Sequence, residues 1–373
     1  MSGEAGRSPR AHGADMAAAI ASLSRQAREG WRLARDLDLA SAGRGPRAEG
    51  PPPRALVVAG VGGSAIGAEM LAGLTAARGS VPVVVVRGYR LPGWVDNETL
   101  VVASSFSGGT EETLSAFREA ARRGASRIAL TSGGALADEA AAAGVPVLRV
   151  PPGGQPRAAV GYALFALLGL AARCGVLSFD DADAAAGADA LDAAVRRYGA
   201  APRLRGGRLP ADGAADRLAA AWHDRMPVIF GGEHLLAVAR RWAGQVSENA
   251  KCWAFWLELP EADHNTLAGF GSFSQTLACV LLDGASLHPR MRLRVRLTAE
   301  ALRDHGIPVE VVSASAPGAL AELCDLLVLG DCASLRLSER RGVDPTPVPA
   351  LEAFKARLAA THPPGSEGEL DGA

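Results

Sequence analysis

The chain has 373 residues, room for two or three domains of ordinary size, and at 48% hydrophobic and 21% charged it can bury a large core. Its 39 Lys and Arg against 40 Asp and Glu leave a formal charge of −1, so neither nucleic acid nor an anionic membrane meets a field that would attract it. No apolar run approaches the ~20 residues of a membrane span, and 5 scattered cysteines without a C-x-x-C pair favour buried filler in a reducing cytoplasm over a disulfide framework or a zinc site.

In chain order, residues 1–14 lack the apolar core of a secretory signal and read as a disordered leader. Met16, Ile20, Leu23, Ala27 and Trp31 then recur at helical spacing over residues 16–40. Pro and Gly dominate 42–53. A strand–helix alternation follows: strand 55–59, turn 60–63, helix 65–77, strand 81–86, strand 100–103, helix to Arg123, strand 128–131, helix 135–143 and strand 147–150. Residues 161–174 form a long apolar helix. The Ala-, Asp-, Arg- and Gly-rich stretch 178–215 reads as one or two exposed helices plus a linker.

A second series opens near Met226, with strand 227–230, a turn at Gly231 and Gly232, and helix 235–249. Strands follow at 254–259, 309–313 and 326–329, and 349–360 is a helix with Leu351, Phe354 and Leu358 along one side. No period is assigned to 270–278 or 293–304. VVAGVGGSAIGAEML and VIFGGEHLLAVARRW share a strand, Gly-Gly turn and helix, a faint internal repeat. The expected fold is therefore α/β, two tandem doubly wound parallel-sheet domains over 15–176 and 219–340. A helical linker, 177–218, joins them, and a C-terminal helix and tail, 341–373, follow. A ligand is expected outside the carboxyl ends of the strands, near the seam between domains.

The chemistry concentrates in three places. After strand 100–103, Ser104, Ser105, Ser107 and Thr110 supply four hydroxyls within seven positions, Gly108 and Gly109 allow close backbone approach, and Glu111 opens a helix. Free N–H groups and the positive end of the helix dipole at that start suit a phosphate monoester. GVGGSAIG at 60–67 has the look of a dinucleotide fingerprint, but the next strand ends at Arg87 with no acidic residue. Arg87 could suit a 2′-phosphate, which leaves NADP open, but the preferred reading is a loop that wraps a sugar with Gly62, Gly63 and Ser64. Arg157, at the entry to helix 161–174, could face a phosphate or a developing oxyanion. Glu248 and, sixteen residues further on, His264 flank the apolar run CWAFWLEL, which reads as one buried element. A carboxylate and a second acid/base are the pair that aldose–ketose isomerisation requires. No His, Asp, Glu or Cys set has metal-ligand spacing.

GVGGSAIG, SSFSGGTEET, PRAAVGYAL, SENAK, the His264–Asn265 pair and GVDPTPV occur in one order from about residue 55 to 355. In that order they make the chain similar to the bifunctional phosphoglucose/phosphomannose isomerase family, built from two sugar-isomerase (SIS) domains of flavodoxin-like type. The resemblance implies a cytoplasmic homodimer without cofactor or metal. It implies interconversion of glucose 6-phosphate and mannose 6-phosphate with fructose 6-phosphate through a cis-enediolate. Carried over, Ser105, Ser107 and Thr110, with Gly108, hold the phosphate, and Gly62, Gly63 and Ser64 lie beside the sugar. Arg157 faces the enediolate oxygens and Glu248 moves the proton. His264, contributed by the neighbouring subunit in related isomerases, and Lys355 open the ring. The family's loop commonly reads SYSGNT, whereas Phe106 and Gly109 stand here, a departure that bears on substrate preference more than on reaction class. Two alternatives stay open: a non-catalytic sugar-phosphate-binding regulator, and an isomerase of another phosphosugar on the same fold. Residues 1–40 are too short for the DNA-binding module that a regulator would usually carry.

Overall fold

The structure is a computed structural model that describes residues 9–39, 51–199, 213–271 and 274–361. The first eight residues of the expected leader, most of the Pro- and Gly-rich 42–53 and residues 200–212 of the linker lie outside that set. Helix α1 (Pro9–Ala21) begins within the segment read as a leader and is followed by α2 (Leu23–Asp36).

The first α/β unit comprises β1 (Ala55–Ala59), α3 (Gly63–Thr75), β2 (Val83–Val86), β3 (Thr99–Ser104), α4 (Glu111–Arg122), β4 (Ser126–Thr131), α5 (Gly134–Ala142) and β5 (Val147–Arg149). Every pairing is parallel, in the order β2-β1-β3-β4-β5. The order reverses between β1 and β3, the crevice where doubly wound sheets bind ligands. β1 and β3 are buried at every residue, which explains their unbroken apolar runs. A short 3-10 turn (Pro156–Ala159) leads into α6 (Val160–Arg173), buried at ten positions.

Helix α7 (Asp181–Tyr198) starts at a capping box in which the Asp180 side chain accepts from Ala182 and Asp183 N–H. It was expected to be exposed, yet Ala184, Ala188, Leu191 and Ala194 enter the core. The stripe is made of small residues at helical spacing, so bulk composition hid it.

The second unit comprises α8 (Ala214–Trp222), β6 (Met226–Gly232), α9 (Leu236–Ala250), β7 (Phe255–Leu259), β8 (Leu277–Asp283), α10 (Pro289–Asp304) and β9 (Val309–Ser313). All its pairings are parallel, in the order β7-β6-β8-β9. This repeats the first sheet without its last strand. β6 runs through Gly232, so the expected turn falls at 233–235 instead.

The expected strand 326–329 is in fact the middle of α11 (Ala319–Arg341), a 23-residue helix buried from Glu322 to Ser338. An element buried on all sides shows no apolar period, and only its length separates helix from strand. α11 packs against α7, α8 and α9. Trp242 of α9 donates through Nε1 to Leu326 O at 2.8 Å and meets Trp222 edge-on at 6.1 Å. One apolar cluster therefore runs through both units, from Met16 in α1 to Leu337 in α11. The last helix, α12 (Pro349–Ala360), is exposed at every residue.

Cys174, Cys279, Cys324 and Cys332 are buried free thiols. Burial pushes the Cys174 thiol up to about 11 and the Cys279 thiol up to about 12, so neither is a nucleophile near neutral pH.

Candidate active site

The loop after β3 is built by its own hydroxyls. Ser105 Oγ and Thr110 Oγ1 share a hydrogen bond of 2.8 Å, and Ser105 Oγ also accepts Gly108 N–H at 3.1 Å. Thr110 holds the N-cap position of α4, but its side chain makes no cap bond, so the first N–H groups of that helix are not closed by it. Ser107 is exposed at the tip. A segment that sequence reading did not single out clamps the loop from beneath. Ser132 Oγ donates to Phe106 O at 2.6 Å, and Leu136 N donates to Gly108 O at 2.9 Å. The signal was present: TSGG follows β4 as SSFSGG follows β3.

Gly108 is fixed doubly as glycine. Its φ is +70°, and a Cβ there would lie 1.8 Å from Gly133 O. The left-handed backbone alone costs about 1–2 kcal/mol for an L side chain, and the clash is with backbone that cannot step aside. Gly108→Ala is expected to raise KM for a hexose phosphate by about tenfold or more, equivalent to about 1.4 kcal/mol. Steady-state kinetics of the folded variant check this, and an unchanged KM would refute it.

The GVGG turn joins this loop to the rest of the site. Ser64 Oγ accepts Phe106 N–H at 3.0 Å, and Ser64 O accepts from Ser104 Oγ at 3.0 Å. Gly62, at φ +57°, faces open space, whereas a Cβ on Gly63 would lie 2.9 Å from Arg157 N. Gly63 is thus where the backbone of the 156–159 turn presses on α3.

Arg157 is 3% exposed and reaches across the seam between the units. Its Nη1 donates to Glu248 Oε2 at 3.2 Å and to Gln155 Oε1 at 3.2 Å. Its Nε donates to Asn249 Oδ1 at 2.9 Å, and its Nη2 to Pro345 O at 2.6 Å and Thr346 O at 3.0 Å. Burial pulls its pKa below the ordinary arginine value, while Glu248 opposes that shift. The guanidinium, expected to face the enediolate oxygens, is bonded here to acceptors from both units. The side chain of Glu248, on the last turn of α9, is 31% exposed. Lys251 follows in a left-handed conformation at φ +54° and donates through Nζ to Glu248 O at 2.5 Å. Burial first, then Arg157, holds the Lys251 ammonium below the usual lysine pKa.

α9 runs back along β6, so Glu248 sits level with the amino ends of the second sheet, beside the start of β7. The hydroxyl loop thus stands at the carboxyl end of the first sheet and Glu248 at the amino end of the second. His264 lies past the other end of β7, exposed, and its backbone N–H is its one hydrogen bond among the described residues. A five-residue strand spans roughly 16 Å, so one chain does not bring His264 to Glu248. β7, moreover, is an edge strand with Phe255 and Glu258 exposed, not the buried element expected. Lys355 lies on α12, which is solvent-exposed throughout, and makes no hydrogen bond or ion pair among the described residues. Asn249, Pro345 and Thr346 were not foreseen as partners of Arg157, although SENAK and GVDPTPV marked both neighbourhoods. Among the described residues no three His, Cys, Asp or Glu side chains group closely enough to share a metal ion, and no helix is long and apolar enough to cross a membrane.

Two doubly wound parallel sheets in tandem, with a hydroxyl loop at the tip of the first and Arg157 of the first unit bonded to Glu248 of the second, are the architecture of a two-domain SIS protein. Comparison with known proteins agrees. Residues 211–358 match the family described as bacterial phospho-glucose isomerase C-terminal SIS domain. A bifunctional phosphoglucose/phosphomannose isomerase of Caldicellulosiruptor bescii is 35% identical over 82% of this chain and 89% of its own length. One of Aquifex aeolicus is 32% identical over 82% and 91%. The C-terminal domain of glucosamine-fructose-6-phosphate aminotransferase from Francisella tularensis superposes with a TM-score of 0.69 at 15% identity, over 91% of this chain and all of that one, a likeness of fold. The chain belongs to the bifunctional phosphoglucose/phosphomannose isomerase family.

Proposed function

We propose that this protein is an aldose–ketose isomerase that interconverts glucose 6-phosphate and mannose 6-phosphate with fructose 6-phosphate. The observation that carries this reading is the Glu248 carboxylate of the second unit, held at one oxygen by Arg157, whose backbone presses on Gly63 next to the Ser64 that bonds the loop after β3. The 6-phosphate binds at Ser105, Ser107, Gly108 and Thr110, where the start of α4 adds its dipole. Gly62, Gly63 and Ser64 border the sugar. Glu248 takes the C2 proton and returns it to C1. Removing that proton from either C2 epimer yields the same cis-enediolate, so one base serves both aldoses.

Ring opening requires a second acid/base, and His264 fills that role from a second copy of the chain, since β7 separates it from the Glu248 of its own chain. Apolar side chains left uncovered by one copy support a homodimer: Leu351, Phe354 and Leu358 on α12, and Trp253 and Phe255 at the start of β7. Lys355, on α12, reaches a site only if that helix is docked by the assembly. The reading places the protein in the cytoplasm.

A coupled assay of fructose 6-phosphate formation from each hexose phosphate, with and without EDTA, tests this reading. Turnover of both aldoses unaffected by EDTA is expected. Absence of turnover with saturable sugar-phosphate binding would instead identify a regulator.

A further inference from the structure

The second sheet has a loop of its own at the place matching the hydroxyl loop. β8 lies beside β6 as β3 lies beside β1, and the strand order reverses there in both sheets. Glu233, at φ +50°, takes the turn after β6 as Gly62, at φ +57°, takes the turn after β1. Residues 284–288 lead from β8 into α10, as the hydroxyl loop leads from β3 into α4. At such a reversal a doubly wound sheet offers backbone N–H groups and a helix start to an anion.

Side chains of the protein itself fill that crevice. Glu322, in the first turn of α11, is 0% exposed. Its Oε1 accepts Ser286 N–H at 2.8 Å, and its Oε2 lies 3.0 Å from Nε2 of His234, which is buried in the turn after β6. The Glu233 carboxylate accepts His288 N–H at 3.1 Å. His288 Nδ1 accepts Arg290 N–H at 3.1 Å and so caps α10, whereas Thr110 leaves the start of α4 uncapped. The loop closes tightly on the carboxylate: a Cβ on Gly284 would lie 2.2 Å from Glu322 Oε2. From the other side α3 of the first unit covers the turn, and a Cβ on Gly73 would lie 3.0 Å from His234 Cα. Burial by itself would raise the Glu322 pKa, yet the bonds from His234 and Ser286 bring it below the ordinary carboxylate value. The group is therefore a charged one, and a buried charge is tolerated only where partners of this kind meet it.

We propose that Glu322 is the resident anion of the second unit: its carboxylate fills the oxyanion site made by the loop after β8 and His234, and that unit takes no sugar phosphate of its own. With the carboxylate removed, the same donors would accept a small free oxyanion. The comparison with the first loop rests on the phosphate reading above, but the filling of the second does not.

Glu322→Ala and two small probes test this. Formate restores a carboxylate to the vacated place, and formamide has the same shape without the charge. The melting midpoint of Glu322→Ala is expected to lie below that of wild type and to rise saturably with sodium formate. At ten times the formate Kd the rise should be about 2 °C or more. Formamide, and sodium chloride at equal ionic strength, should leave it unchanged, and wild type should respond to none of the three. An equal response to formate and formamide, no response to formate, or the same formate response in wild type would overturn the proposal. If Glu322→Ala does not fold, refolding in formate against formamide decides: recovery in formate alone supports the proposal, and recovery in neither or in both overturns it.

Calorimetry on the wild-type protein gives an independent reading. Sorbitol 6-phosphate is expected to bind once per chain, and two sites per chain would overturn the proposal. Failure to bind at all would sink the phosphate reading of the first loop, and the formate result would still decide the second.

Discussion

Replacing Glu248 by Gln is expected to lower kcat toward glucose 6-phosphate and mannose 6-phosphate together, by about 10³-fold, within the 10²–10⁴ that a positioned acid/base contributes. The substitution keeps an oxygen that accepts from Arg157, and the side chain is 31% exposed, so the fold has little reason to change. The phosphate loop lies on the first unit and shares no hydrogen bond with Glu248. Sugar-phosphate affinity, read by calorimetry with sorbitol 6-phosphate, should therefore stay within about threefold, a difference of about 0.65 kcal/mol. Wild-type turnover in this variant would remove Glu248 as the base. Loss of binding in parallel with turnover would show that the carboxylate holds the sugar instead. A regulator that merely senses the ligand would lose nothing on either measure.

Mixing two inactive variants should restore activity. His264→Ala and Glu248→Gln are each expected to be nearly inert, because the two residues stand at opposite ends of β7 within one chain and, in the dimer proposed above, meet across a subunit boundary. In a mixed dimer one site carries both changes and the other carries neither. With free subunit exchange half of the dimers are mixed, so about one quarter of wild-type activity returns, as two-fold symmetry dictates. Mixing is followed by turnover in the coupled assay after brief denaturation and refolding together. Failure to regain activity, with mixed dimers confirmed by differential tagging, would mean that His264 and Glu248 serve a site within one chain and would overturn the shared site; full activity of His264→Ala by itself would place His264 outside the site. The same experiment on Lys355→Ala paired with each variant assigns Lys355 to one protomer or the other.

The substrate departure at the phosphate loop has a physical reading. Phe106 is half-buried, packs against the main core cluster, and gives its N–H and C=O to Ser64 and Ser132. An aromatic at that position is held by packing and backbone bonds, and a phenol is not needed to keep the loop in place. Gly109 is exposed with open space around its Cα, so the missing amide side chain leaves the loop's own conformation unaffected.

Strand, turn and helix alternation, the hydroxyl loop and Glu248 could all be read from residue order, because each is local. A parallel strand buried on both faces is an unbroken apolar run, and a phosphate loop is a set of hydroxyls and glycines beside a helix start. The reading of 326–329 as a strand failed because α11 is buried all round and has no period to read. Contacts between distant segments were likewise invisible: Arg157 with Pro345 and Thr346, Arg241 with Asp331, and Ser132 with Phe106 join residues far apart in the chain. So was the separation of His264 from Glu248, since sixteen residues of one composition can fold back or cross a sheet. Sequence alone settled which chemistry the chain carries, through side-chain types and their local spacing. Tertiary structure alone decided which of those groups meet, because packing of α9 against α11 brings Glu248 and Asn249 of the second unit onto the buried Arg157 of the first.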